Sequence, residues 1–389
     1  MFDKFLVSRV QRVRMVQPSS VSILFAGGAT GGHLFPGIAV AEALEGVAEK
    51  IGFVGHGTQL ERHEASCRGY EYFAVPSVSS VDLRRRPLRS LGGAWRAYRM
   101  ARRIVQRFDP SVVIGLGGFA SVPAVLAARR LRVPVALLEQ NVIPGRATRW
   151  LSRGAQRVCV SFDETRSSLP LAGACRWTGN PVRQIAAEDP ETQRGERLLL
   201  VLGGSQGSGS LNRAVPEALG RIGSLGPGWR VLHQCGDHDP VVVQAAYRSS
   251  GVEARVERFL DLPGRWLGCS ELIVARAGAT TLAEIACAGV ATVLVPYPHA
   301  SDDHQRANAA WFVDRGAARM VEETGGMEML VGGLAEEMGV LLGSRTRRQE
   351  LAGEMLKWGR PDAAAAVVEA VVEMLSNEGG LNRLSVRAA

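Results

Sequence analysis

The chain has 389 residues, more than one hydrophobic core usually holds, so its length predicts two domains. Its apolar content of 46% excludes a disordered chain, and its net charge of +8 favours partners that carry phosphate: a nucleic acid, an anionic lipid or a diphosphate. The six cysteines have no CxxC or zinc-binding spacing, so we expect reduced thiols in a cytoplasmic protein.

Residues 1–20 form a predicted N-terminal extension. Lys4, Arg9 and Arg12 interrupt its apolar residues, so the segment lacks the core of a signal peptide. Two interpretations stay open: a disordered tail, which includes a start at Met15, or a short basic helix at a membrane surface. No apolar run approaches the roughly 20 residues of a membrane span.

An apolar strand, a glycine-bearing turn and a helix follow one another four times. The four strands are Val21–Phe25, Val112–Ile114, Leu198–Leu202 and Leu272–Val274. Further strands are predicted at Ile51–Val54, Val135–Leu138, Val158–Val160, Arg230–His233 and Ala291–Val295. This alternation predicts an α/β fold with two doubly wound parallel sheets, in domains 21–185 and 196–375, followed by a tail at 376–389.

Glycine turns between a strand and a helix can bind diphosphate at the helix N-terminus. The first turn lacks the GxGxxG fingerprint of dinucleotide enzymes, because position 29 is alanine and no acid ends the second strand. No turn has the Gly-Lys-Ser/Thr of a P-loop. The sequence Asp237-His238-Asp239 mimics a manganese-binding DxD, but its place directly after a strand favours a turn.

Two side chains next to these turns suit catalysis or binding. His33 follows the first turn, where a neutral imidazole could accept a proton from an attacking hydroxyl or could only order the loop. Glu284 lies near the start of a helix, where its carboxylate could hold vicinal ribose hydroxyls or only face the helix dipole.

Seven motifs in order resemble the MurG family, the peptidoglycan N-acetylglucosaminyltransferases of glycosyltransferase family 28. They are residues 27–37 (GGATGGHLFPG), 117–123 (GGFASVP), 139–141 (EQN), 179–183 (GNPVR), 203–207 (GGSQG), 277–284 (AGATTLAE) and 303–309 (DHQRANA). The resemblance covers roughly residues 21–375. It departs from the family pattern at Ala29, where glycine is usual, at Ala277, where serine is frequent, and in the N-terminal extension.

The resemblance implies a GT-B fold, in which two Rossmann-like domains face a cleft, and a C-terminal domain that holds UDP-N-acetylglucosamine. It implies that Ser205 contacts the donor diphosphate, that the Leu260 backbone meets the uracil, that Glu284 binds the ribose and that Gln305 reads the sugar hydroxyls. His33 matches the family's proposed acceptor-side base. The remaining implied donor contacts are Thr30, Gly31, Gly32, Asn141, Arg183, Ala279, Thr280, Thr281, Leu282 and Ala283.

Residues 78–107 carry nine arginines among apolar and aromatic side chains. This mixture is typical of a surface that binds anionic lipid. A solvated helix face and a nucleic-acid surface are the alternatives, although no recognisable nucleic-acid module contains these arginines. We therefore expect a membrane partner and no nucleic acid.

The expected reaction is an inverting transfer of N-acetylglucosamine to the C4 hydroxyl of the N-acetylmuramoyl unit of lipid I, which forms lipid II for peptidoglycan. We expect no cofactor, no metal and a peripheral location on the cytoplasmic face of the bacterial inner membrane. The alternatives are another GT-B UDP-sugar transferase that acts on a glycolipid or natural product, and a silent sugar-nucleotide or lipid-binding protein. The sequence leaves open whether cell-wall or division proteins dock on the chain.

Overall fold

The computed structural model describes residues 21–28, 30–76, 87–170, 174–183, 196–204, 206–260 and 263–377. The described chain divides into two compact units. The first takes the described residues up to Val182 together with those from Pro361 onward, and the second runs from Arg183 to Arg360. Each unit has its own parallel sheet, which confirms the pair of parallel sheets that the sequence predicts.

Within the described residues, the sheet of the first unit has seven parallel strands in the order β3-β2-β1-β4-β5-β6-β7. The strands are Ser22–Ala26 (β1), Lys50–Gly55 (β2), Glu71–Ala74 (β3), Val112–Gly115 (β4), Val135–Glu139 (β5), Arg157–Val160 (β6) and Cys175–Trp177 (β7). The strand order reverses between β1 and β4, and doubly wound sheets bind their ligands at the carboxyl ends of strands at such a point.

The first helices of this unit pack on both faces of its sheet. They are Gly31–Ala43 (α1), Gln59–Cys67 (α2), Pro87–Phe108 (α3), Gly118–Arg130 (α4) and Arg146–Leu151 (α5). Apolar residues of α3 and α4 form a core against one face, and Leu34 and Ile38 of α1 are buried against the other. Strands covered on both faces explain the uninterrupted apolar runs of β4 and β5 in the sequence.

The described part of the second unit has a six-stranded parallel sheet in the order β10-β9-β8-β11-β12-β13. The strands are Arg197–Leu202 (β8), Trp229–Gln234 (β9), Ala254–Glu257 (β10), Ser270–Ala275 (β11), Thr292–Leu294 (β12) and Arg319–Met320 (β13). The helices are Gly209–Ile222 (α6), Pro240–Ser249 (α7), Pro263–Cys269 (α8), Ala279–Ala288 (α9), His304–Val313 (α10), Met327–Gly343 (α11) and Arg345–Lys357 (α12). Here the strand order reverses between β8 and β11.

The last helix, Ala363–Asn377 (α13), belongs to the first unit. Its residues Val367, Val371 and Met374 are buried with α1 and β1 in one apolar cluster. The second compact unit ends at Arg360, whereas the sequence places the end of the second domain at residue 375. The spacing of these apolar residues shows an amphipathic helix, but it does not show which sheet buries the apolar face. No helix in the described ranges is long and apolar enough to cross a membrane.

Candidate active site

His33 lies in the first turn of α1, directly after the glycine turn that follows β1. The sequence predicts a helix from Pro36, but α1 begins at Gly31 with Thr30 as its N-cap, so the helix already contains His33. Nδ1 of His33 is 3.1 Å from Oγ1 of Thr30. In the tautomer with the proton on Nδ1, Thr30 accepts this hydrogen bond and Nε2 keeps the basic lone pair.

The loop after β4 lies against the ring of His33. A Cβ atom at Gly117 would lie 3.0 Å from Cδ2 and 3.3 Å from Nε2 of His33. Gly117 also has φ +95°, which side chains disfavour, so two constraints require glycine here. Because β1 and β4 are the strands at which the order reverses, His33 lies at the expected ligand-binding point of the first sheet.

Asn141, a predicted donor contact, lies just after β5 and is held by a buried carboxylate. Glu139 is 2% exposed, and its Oε1 accepts from the backbone N–H of Asn141 at 3.0 Å and from its Nδ2 at 3.1 Å. The other oxygen of Glu139 accepts from the backbone N–H of Gly145 at 3.0 Å. Glu139 therefore fixes the loop and the Asn141 amide, a role that the sequence analysis did not assign.

In the second unit, the glycine turn after β8 leads into α6. Ser208 is the N-cap of α6, and its hydroxyl accepts from the N–H of Leu211 at 3.3 Å. This geometry leaves the first N–H groups of α6 directed toward the carboxyl edge of the sheet, as an anion site requires. Ser205 lies outside the described residues, as does Ala29, so the structure says nothing of either.

Arg276 connects the carboxyl ends of three strands, and the sequence analysis missed it. It is 7% exposed and donates through Nη2 to the hydroxyls of Ser208 at 2.7 Å and Ser210 at 2.6 Å. Through Nη1 it donates to the carbonyls of Val295 and Pro296, both at 3.1 Å. An arginine that ends an apolar strand is the signal that could have identified it, because a buried charge needs several partners.

Glu284 and Arg183 form an ion pair within the second unit. Nε and Nη2 of Arg183 are 3.1 and 3.0 Å from the same oxygen, Oε1 of Glu284. Glu284 is 6% exposed, and burial raises the pKa of its carboxyl while the Arg183 guanidinium opposes this rise. The sequence predicts two separate contacts, and the structure brings them together in one ion pair.

Gln305 lies in the first turn of α10, which follows β12. In the sheet, β12 is next to β11, the strand that precedes α9. Its Oε1 accepts from the backbone N–H of Tyr297 at 3.0 Å, which orients the amide so that Nε2 is the group available for a ligand oxygen. Leu260 follows β10 and is 3% exposed. The other predicted contacts of this unit form the first turns of α9: Ala279, Thr280, Thr281, Leu282 and Ala283.

The predicted contacts therefore lie in two groups at the carboxyl ends of strands. Thr30, Gly31, Gly32, His33 and Asn141 are in the first unit; Arg183, Leu260, Gln305 and α9 are in the second. Direct side-chain contacts join Thr30 to His33 and Arg183 to Glu284. The first group suits proton transfer, and the second offers an ion pair and a helix N-terminus to a charged nucleotide.

Comparison with known proteins identifies the family. The glycosyltransferase family 28 N-terminal domain matches residues 23–160 and the C-terminal domain of the same family matches residues 198–346. The chain is 38% identical over 368 residues to the UDP-N-acetylglucosamine–N-acetylmuramyl-(pentapeptide) pyrophosphoryl-undecaprenol N-acetylglucosamine transferase of Magnetococcus marinus, which covers 91% of this chain and 97% of that protein. The protein of the same name from Trichlorobacter lovleyi is 36% identical over 383 residues, with 91% and 98% coverage.

A solved structure agrees with these relatives. The crystal structure of Acinetobacter baumannii MurG superimposes with a TM-score of 0.70 at 29% identity, over 91% of this chain and 99% of that one. The match extends over both parallel sheets, which confirms the predicted class of fold, GT-B with two Rossmann-like domains. The chain therefore belongs to glycosyltransferase family 28, within its MurG branch.

Proposed function

We propose that this chain transfers N-acetylglucosamine from UDP-N-acetylglucosamine to the C4 hydroxyl of the N-acetylmuramoyl unit of lipid I and so forms lipid II. The observation that carries the proposal is the 36–38% identity, over nine-tenths of the chain, to transferases named for this donor and acceptor. The carbohydrate product enters peptidoglycan. The groups described above supply the two chemical functions that the reaction needs, which are removal of a proton and stabilisation of a diphosphate.

On the donor side, the diphosphate lies at the turn after β8 and the N-terminus of α6. The N–H groups there and the dipole of α6 stabilise the negative charge that develops on UDP as the sugar leaves. Glu284 accepts from the ribose hydroxyls through the oxygen outside its ion pair with Arg183. Gln305 donates from Nε2 to a sugar hydroxyl, because Tyr297 already occupies its carbonyl oxygen.

On the acceptor side, Nε2 of His33 takes the proton of the attacking hydroxyl. The new bond joins the acceptor oxygen to the anomeric carbon, and the bond between this carbon and the UDP oxygen breaks. One displacement inverts an α-linked donor to a β-1,4 link, so no covalent enzyme intermediate is needed. This step uses the tautomer with the proton on Nδ1, in which Thr30 accepts the hydrogen bond from Nδ1 and Nε2 carries the lone pair. Neither step requires a metal ion, so we expect the reaction to proceed in the presence of a chelator.

The membrane surface is formed by the exposed side of α3. Trp95 is 58% exposed, and the guanidinium of Arg99 lies 4.6 Å from the centre of its ring. Arg96, Arg102 and Arg103 are also exposed, whereas Ala101 and Val105 are buried against the first sheet. This polarity suits peripheral binding to the anionic cytoplasmic face of the bacterial inner membrane. Residues 78–86 of the predicted basic segment lie outside the described residues.

Competition between donors tests the proposed donor site. In calorimetry, UDP-N-acetylglucosamine should bind at least about tenfold more tightly than UDP-glucose, because a mispaired polar group typically costs 1–3 kcal/mol. Binding should be unchanged by EDTA. Equal affinity for the two sugars would favour a different UDP-sugar transferase, and absence of UDP binding would contradict the donor site itself.

A further inference from the structure

A chain of buried hydrogen bonds leads from α7 to the turn after β9. This turn touches the glycine turn between β8 and α6, which we call the diphosphate loop because the proposed donor diphosphate binds there. Tyr247 and His233 are both 0% exposed, and the hydroxyl of Tyr247 is 2.8 Å from Nδ1 of His233. Nε2 of His233 is 2.9 Å from Oδ1 of Asn212, whose Nδ2 is 3.1 Å from the carbonyl oxygen of Cys235. None of these residues is among the predicted contacts with substrate.

The hydrogen bond between Asn212 and the Cys235 carbonyl determines which atom donates in each of the other hydrogen bonds. A carbonyl oxygen only accepts, so the atom of Asn212 beside Cys235 is the NH2 group and its Oδ1 faces His233. Nε2 of His233 therefore carries the proton. Burial lowers the pKa of His233 to about 3, so the ring is neutral and Nδ1 accepts from Tyr247. The chain runs from the Tyr247 hydroxyl through His233 and Asn212 to the Cys235 carbonyl.

The Cys235 carbonyl is in direct backbone contact with the diphosphate loop. A Cβ atom at Gly207 would lie 2.1 Å from this oxygen, and one at Gly236 would lie 2.2 Å from the Gly207 nitrogen. Gly207 has φ +76°, so both close approach and conformation require glycine. The loop and the turn after β9 therefore fit together with no room for a side chain, and a shift of the turn must move the loop.

Two more hydrogen bonds join the turn to the described part of the loop. Nε2 of Gln234 donates to the carbonyl of Gly204 at 3.1 Å, and the N–H of Asp237 donates to the carbonyl of Gln206 at 3.3 Å. The N–H of Gly207 in turn donates to the carbonyl of Gly204 at 2.9 Å. The turn is thus the support for the loop on the side away from α9.

We infer that His233 is a positioning residue for the donor diphosphate: through Asn212 and the Cys235 carbonyl it fixes Gly204, Gln206 and Gly207 of the turn after β8, beside which the two phosphates bind. Asn212 sets the tautomer of His233, and Tyr247 donates to the lone pair that this tautomer leaves on Nδ1. The inference rests on the proposed function, since it names a residue that serves the same donor site. A positioning role differs from a purely stabilising one, because loss of His233 should weaken binding only of ligands that carry phosphate.

Affinity for UDP and for uridine, measured by calorimetry, separates these roles. His233→Phe removes both hydrogen bonds, and Tyr247→Phe removes only the hydroxyl. We expect the Kd for UDP to rise about tenfold in His233→Phe and about threefold in Tyr247→Phe, in the range for a lost hydrogen bond, while the Kd for uridine stays within about twofold. The double variant should match His233→Phe alone, because both substitutions interrupt one chain.

Val243→Ala is the matched control. Val243 is on α7 with Tyr247 and is 4% exposed in the same apolar cluster, but its side chain makes no hydrogen bond. This variant should lose stability and keep the wild-type ratio of UDP to uridine affinity. The inference is wrong if Val243→Ala changes this ratio as much as His233→Phe does. It is also wrong if neither His233→Phe nor Tyr247→Phe, the two relay variants, changes the ratio. Should His233→Phe fail to fold, the comparison of Tyr247→Phe with Val243→Ala decides.

Hydrogen–deuterium exchange distinguishes failure of the inference from failure of the proposed function. Amides of 206–209 and 235–237 should exchange at least about tenfold faster in Tyr247→Phe than in Val243→Ala, with or without a ligand. If the wild-type protein does not bind UDP, the proposed function is wrong, and exchange alone then tests the support of the loop. Unchanged exchange in both relay variants would overturn the inference even if UDP binds.

Discussion

His33 is held on two sides, by the hydroxyl of Thr30 and by the backbone at Gly117, so its Nε2 has a defined position. His33→Ala should lower kcat by about 100-fold to 10,000-fold, the range for a lost general base, and leave the Kd for UDP within about twofold. Steady-state turnover and calorimetry measure the two quantities. His63→Ala, at an exposed histidine of α2, is the control and should change neither. A parallel loss of UDP binding would reduce His33 to a support of the loop.

Glu284 should make the donor site sensitive to the ribose hydroxyls. Wild-type protein should bind UDP about 10-fold to 100-fold more tightly than 2′,3′-dideoxy-UDP, and Glu284→Ala should remove most of this preference, because a hydrogen bond to a charged group contributes about 1.5–3 kcal/mol. Competition binding gives the ratio. Glu328→Ala, which removes an exposed carboxylate paired with Arg221, should retain the preference. If Glu284→Ala also retains it, Glu284 serves only the ion pair with Arg183.

His233 should make the folded protein less stable in acid. Burial lowers its pKa from 6.5 to about 3, so between these values the unfolded chain binds a proton that the folded chain does not. The free energy of unfolding therefore falls as the pH decreases through 6.5. Between pH 7.5 and 5.0 this contribution amounts to about 2 kcal/mol, at 1.36 kcal/mol for each pKa unit.

Urea titrations at these two pH values test the prediction. His233→Gln cannot take up the proton, so its loss of stability should be about 2 kcal/mol smaller than that of the wild-type protein. In NMR spectra, the ring signals that disappear in this variant should not titrate above pH 4.5. A ring that titrates near pH 6.5 in the folded protein would contradict the buried, neutral state.

At the scale of elements, α3 separates its basic side from its buried side. Replacement of Arg96, Arg99 and Arg102 by glutamine should weaken binding to anionic vesicles about 100-fold, at about 1 kcal/mol for each arginine near the surface. Sedimentation with vesicles that contain phosphatidylglycerol measures this. The same change at Arg248, Arg345 and Arg347, exposed in the second unit, is the control. Equal effects of the two triple variants would show dependence on net charge and not on α3.

The turns after β1, β4, β8 and β11 place His33, its neighbour Gly117 and two helix N-termini at the carboxyl ends of strands. These elements were predictable from sequence, since each has an apolar run, a glycine turn and an amphipathic helix. That His33 lies where the first turn runs into a helix followed from the same pattern, although the helix begins five residues earlier than predicted. Its contact with Gly117 did not, because the order of strands in the sheet decides which turns are neighbours.

For the whole molecule, the sequence predicted the two sheets. It did not predict which helices pack on each sheet or how the buried charged side chains at the strand ends are paired. Arg183 and Glu284 are 101 residues apart and form one ion pair, a contact that local pattern does not reveal. Arg276 stands among small residues in a turn, and its partners come from two distant segments, 208–210 and 295–296, so the local pattern does not reveal its role. The helix α13 returns to the first sheet, and its apolar face would suit either one.

The most direct measurement is turnover with UDP-N-acetylglucosamine and a lipid I analogue in detergent, with EDTA present, followed through UDP release and the disaccharide product. We expect a β-1,4-linked disaccharide, with UDP formed in equal amount, and little or no product from UDP-glucose. Tight binding of UDP-N-acetylglucosamine without any product would contradict the acceptor. Equal turnover of UDP-glucose would contradict the donor specificity on which the proposed function depends.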